Sequence, residues 1–224
     1  RYAAINTLMG PIPQLEFYKQ YAKKLQIKNV KAYTKAMQLL EKIDGLATND
    51  LPNIGFCWVG AWREGGPFSW ISSKPLKNVQ VLYDQVNVNL NKAISSVGSI
   101  SGSNYLKFLL NRSEASKLYL DAFEKGIQIQ KIKKDSLGKF SPSQQKSASI
   151  ICNDALYIFN KYLQKHVELM PDRGSEGTLI NFWHAPIYGL KVIRNKYAGI
   201  PIDADPVIEN RKDAPPLPIY FIKN

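Results

Sequence analysis

Residues 53–73 read NIGFCWVGAWREGGPFSWISS. They hold three of the four tryptophans, Trp58, Trp62 and Trp70, together with Phe56, Phe68, four glycines and Cys57. Ile54, Trp58 and Trp62 recur at i, i+4 and i+8, the spacing of one helical face. Gly65-Gly66 stop such a helix and Pro67 keeps it from restarting. The spacing therefore predicts a short buried helix and a second aromatic piece from Phe68 to Ile71, with neighbouring elements packed around both. Two charges, Arg63 and Glu64, interrupt the apolar run. Beside Trp62 and Trp70, an apolar wall would raise the pKa of Glu64 and suit it to acid–base work.

Working outward, helical stripes dominate the chain. Leu15, Tyr18, Ala22 and Leu25 form one; Val30, Tyr33, Met37, Leu40 and Ile43 form the next, capped by Gly45. Pro75 opens a third helix, whose stripe is Val79, Leu82, Val86, Leu90, Ala93 and Val97. Gly98 to Ser103, GSISGS, reads as a flexible linker or loop. A helix from Tyr105 through Ala122 is interrupted at Gly126, and the alternating QIQKIKKD of residues 128–135 is read as an exposed strand or a helix end. Ser141, Pro142 and Gln144 spell a capping box. The stripe Ile151, Ala155, Ile158, Tyr162, His166 and Leu169 follows it. Pro186 opens a last helix through Ile187, Leu190, Ile193 and Tyr197, capped by Gly199.

Five prolines from Pro201 to Pro218 rule out a regular helix at the end of the chain. The expectation is a mainly α fold: one globular domain of seven or eight helices over residues 1–200, with a possible short β-hairpin near 127–134. An extended Pro-rich tail, 201–224, docks on the body.

A chain of 224 residues can bury a sizeable core without staples. Thirty Lys and Arg against 18 Asp and Glu give a net charge of +12. That excess favours a polyanionic or acidic partner, although no block of five or six basic residues concentrates it. The excess is mostly lysine, whereas bidentate phosphate recognition favours arginine. The longest apolar run, Gly55 to Trp62, is far short of the roughly 20 residues of a membrane helix. Cys57 and Cys152 read as buried free thiols, with one disulfide between them as the alternative. No CxxC or His/Cys cluster points to zinc, and no P-loop or G-x-G-x-x-G points to a nucleotide, so no cofactor is expected. An opening on Arg1 rather than Met is expected of a soluble product that is processed, translocated or excised from a longer polypeptide.

The candidate chemistry gathers in two segments. His184, held between Trp183 and Pro186, follows a Gly-rich turn with Arg173 and Glu176; a His beside a carboxylate is the minimal general acid–base pair. Glu64 with Glu176 or Asp172 is the carboxylate pair a glycoside-type hydrolysis would use. The catalytic candidates are thus Glu64, Glu176 and His184, with Trp62, Arg63, Trp70, Arg173 and Trp183 as binding residues. Glu64 and His184 are expected within about 10 Å of each other on one concave surface. The functional expectation is a toxin-like or effector domain, a hydrolase with its acid–base site in an aromatic cleft. The alternative is a non-catalytic basic module that binds a polyanion, either nucleic acid or an anionic membrane surface.

Overall fold

A computed structural model describes residues 12–50, 73–132, 134, 137–169 and 186–202. The described chain is helical: α1 Gln14–Lys24, α2 Val30–Asp50, α3 Ser73–Ile94, α4 Ile100–Gln130, α5 Pro142–Leu169 and α6 Tyr188–Ala198. Among the described residues there is no strand, and one isolated antiparallel bridge joins Ile27 to Val97. No described helix is long and apolar enough to cross a membrane. The tail from residue 203 lies outside the described residues.

The chain divides into two compact units, with the division falling inside α4. The first holds α1, α2, α3 from Lys74 and α4 as far as Lys117; the second holds α4 from Leu118, α5 and α6.

In the first unit the α3 stripe packs as its spacing requires. Val79, Leu82, Val86, Leu90 and Ala93 are all buried, so the helix reading prevails over a Val-rich strand. From α1 and α2, Phe17, Tyr18, Ala22, Tyr33, Ala36, Leu39 and Ile43 are buried. Leu15 is exposed and Phe17 takes the inward place. Gly45 caps nothing, because α2 runs through it to Asp50.

Two tight corners close this unit. Asn29 caps α2, its Oδ1 accepting from the Ala32 N–H at 3.1 Å. Ser99 caps α4, its Oγ accepting from the Gly102 N–H at 3.0 Å. Ile27 and Val97 each sit two residues before a cap, and the two corners pair through them. The Gly98 N–H donates to the Gln26 carbonyl at 2.8 Å, and the Lys28 N–H to the Ser96 carbonyl at 3.3 Å. The Ser99 hydroxyl donates to the Leu25 carbonyl at 2.7 Å. Gln26 takes a left-handed φ of 55° to make the turn. Gly102 is required by the close approach: a Cβ there would lie 2.2 Å from the Leu25 carbonyl oxygen. The GSISGS stretch is therefore a structured corner. The residues that read as a flexible linker, Ser and Gly, are here a cap and a site of backbone contact.

In the second unit α4 is buried nearly all round: Tyr119, Leu120, Ala122, Phe123, Ile127 and Ile129 are in the core. Ile127 and Ile129 would share one face of a strand but lie far apart around a helix, so helical burial on every side overrides their alternation. The expected hairpin near 127–134 is thus replaced by a helix that crosses Gly126 and continues to Gln130.

The α5 start is as the sequence spells it. The Ser141 N–H donates to Gln144 Oε1 at 2.8 Å, and the Gln144 N–H to Ser141 Oγ at 3.3 Å. Such a cap contributes about 1 kcal/mol. The buried face of α5 is turned from the expected stripe: Cys152, Phe159 and Leu163 join Ala155 and Tyr162, while Ile151, Ile158 and His166 are half-buried. α6 packs along α5. It ends at Gly199, whose φ of 68° and N–H bond to the Asn195 carbonyl at 2.8 Å make the expected left-handed cap. Six described helices stand against the seven or eight expected for the whole chain.

Candidate functional site

All eight residues of the sequence-derived site, Glu64, Glu176, His184, Trp62, Arg63, Trp70, Arg173 and Trp183, lie outside the described residues. So do Cys57 and the segments 51–72 and 171–185 that would form the aromatic cleft.

The titratable groups inside the described cores are held in their neutral forms. Cys152 is a free, buried thiol; burial pushes its pKa up to about 12, with the Arg194 charge pulling the other way. A thiol so placed is a poor nucleophile. His166 meets the Tyr162 ring at 5.8 Å, tilted by 33°, and burial lowers its pKa. Tyr18 bonds to Glu41 and Gln14, and its pKa is raised to about 12 by burial first and the Glu41 bond second. Burial also raises the pKa of Tyr33 and Tyr105, whose hydroxyls meet at 3.4 Å. These shifts all favour the uncharged group, the signature of a satisfied core. Among the described residues, no group of His, Cys, Asp and Glu could hold a metal ion.

The charged surface is where the first unit is distinctive. No Asp or Glu occurs between Glu16 and Glu41, and that stretch carries six lysines: Lys19, Lys23, Lys24, Lys28, Lys31 and Lys35. All six are exposed. No Asp or Glu occurs between Asp84 and Glu114 either, where Lys92, Lys107 and Arg112 are exposed. The Ile27–Val97 bridge lies between Lys23 and Lys35 in one stretch and between Lys92 and Lys107 in the other. It therefore brings the middles of two acid-free stretches to one end of the unit. The carboxylates Glu16, Glu41, Asp84 and Glu114 fall along the helices away from the corners, at about 1.5 Å of rise per residue. Lys19 reaches back to Glu16 at 3.7 Å and Lys117 to Asp84 at 3.7 Å. Lys23, Lys24, Lys28, Lys31, Lys35 and Lys92 make no ion pair among the described residues.

No run of lysines marks this end in the sequence. Its signal is the absence of acids, together with a pairing of residues 27 and 97 that no local pattern announces. Compared with known protein families, characterised proteins and solved structures, the chain matches none.

Proposed function

We propose that the chain is a polyanion-binding module whose contact surface is the paired-corner end of the first unit. The observation that carries this reading is the acid-free clustering of exposed lysines around the Ile27–Val97 bridge. Like charges gathered without neutralising partners raise the local potential and concentrate an oppositely charged ligand. The corners hold them on a scaffold fixed by backbone hydrogen bonds and two helix caps, so little ordering accompanies binding. The acid–base reading on Glu64, Glu176 and His184 draws on residues outside those described, and no observation adds to it.

Heparin, a generic polyanion, tests the proposal. With four lysines engaged, affinity should fall on the order of 100-fold as salt rises from about 50 to about 200 mM, through counterion release. The quadruple variant Lys23→Gln, Lys24→Gln, Lys28→Gln, Lys31→Gln should bind weakly and with a much flatter salt dependence. Wild-type binding that is indifferent to salt, or a variant that matches it, contradicts the proposal.

A further inference from the structure

We infer that the paired-corner end docks on the surface of an anionic lipid bilayer, with Ile100 as its apolar tip. This rests on the polyanion-binding reading and narrows it to one partner. The added observation is Ile100 itself, the first residue of α4, which is 83% exposed at the corner. Its immediate neighbours, Gly98, Ser99, Ser101 and Gly102, are small, Val97 is taken up by the bridge, and the bridge sets Lys28 at the same corner. Phe108, two turns along the same acid-free stretch, is 45% exposed. An exposed isoleucine gains nothing against a phosphate backbone. At a headgroup layer it leaves water while the surrounding lysines stay among the anionic groups.

The cation type fits the same partner. Lysine is a compact, mobile point charge, suited to a fluid surface that offers no fixed bidentate geometry. The nearby tyrosines serve the unit itself: Tyr21 stacks on Phe17 at 5.8 Å, and Tyr33 meets Tyr105. They are not laid out as the row of exposed rings on which successive bases stack.

The test is co-sedimentation of the full chain with vesicles, one set of phosphatidylcholine alone and one with about a third phosphatidylserine. Binding is expected to the anionic vesicles only. The quadruple lysine variant should lose on the order of 1,000-fold in vesicle affinity, at about 1 kcal/mol per lysine. Ile100→Ser, at a site too exposed to affect folding, should lose about 10-fold for vesicles and nothing for heparin. The membrane inference is overturned, with the polyanion reading intact, if Ile100→Ser binds vesicles as the wild type does. It is equally overturned if a single-stranded oligonucleotide is bound and anionic vesicles are not. A chain that binds neither heparin nor vesicles overturns the polyanion reading itself.

Discussion

The two units are made of the same helical material but closed by different means. The first is closed by polar detail: two capped corners bonded to each other, and a core in which Tyr18, Tyr33 and Tyr105 each carry a hydroxyl that must find a partner. The second is closed by hydrocarbon. A length of α4 is buried on nearly every side, and Tyr119 and Phe159 meet at 6.2 Å while Phe159 and Tyr162 meet at 5.0 Å. Their surfaces differ too. In the second unit cations sit beside acids, with Lys125 on Asp154 at 3.0 Å and Lys165 on Glu168 at 3.3 Å. At the corner end of the first unit Lys23, Lys24, Lys28, Lys31, Lys35 and Lys92 sit beside none among the described residues. Stability in one unit should therefore respond to lost volume, and in the other to a single misplaced backbone contact.

The largest effect is expected from Phe159→Ala. Phe159 is fully buried among rings, and its truncation leaves a cavity where they met. Chemical denaturation should register a loss of about 3–5 kcal/mol. A loss under about 1 kcal/mol would mean that this core is loosely packed and that the contrast between the units is false.

Next comes Gly102→Ala. The added Cβ meets the Ser99 and Val97 side chains and, closest of all, the Leu25 carbonyl oxygen, which as backbone cannot swing aside, so the corners must separate. A loss of about 2–3 kcal/mol is expected. Hydrogen exchange should speed at the Gly98 and Lys28 amides, which carry the pairing. Unchanged protection at those two amides would remove the paired corners as the closing device.

The smallest effect is one of pH. Burial lowers the pKa of His166 below its ordinary value of 6.5, so the unfolded chain takes up the proton first as pH falls. The stability this group contributes is complete above 6.5 and declines as pH drops below it. Between about pH 7 and pH 5 the wild type should therefore lose more stability than His166→Phe. An identical decline in both would show that His166 is solvated in the folded state.

What was legible in the sequence follows the same contrast. The Ser141–Gln144 box, the Gly199 cap and the α3 stripe are local signals; the first two fold as spelled, and the stripe does as far as Ala93, with Val97 beyond the helix in the bridge. Ile127 and Ile129 mislead because a helix buried on every side has no polar face to show its period. Gly98 to Ser103 misleads because flexibility and close approach call for the same small residues, and only the partner at Leu25 and Gln26 decides between them. The acid–base residues, from Glu64 to His184, stand in segments beyond the described helices. The cationic end is compositional in each stretch but becomes a surface only through a contact between residues distant in sequence.

The most direct test of that surface sets the two units against each other at equal charge. One variant changes Lys23, Lys24, Lys28 and Lys31 to Gln; the other changes Lys131, Lys139, Lys146 and Lys196, all exposed in the second unit. Each removes the same net charge, so heparin affinity at one salt concentration separates a local surface from the charge of the whole chain. The first variant should weaken by on the order of 100-fold and the second by less than about 3-fold. Equal losses in both would show that binding follows overall charge, and the corner end would no longer be the site.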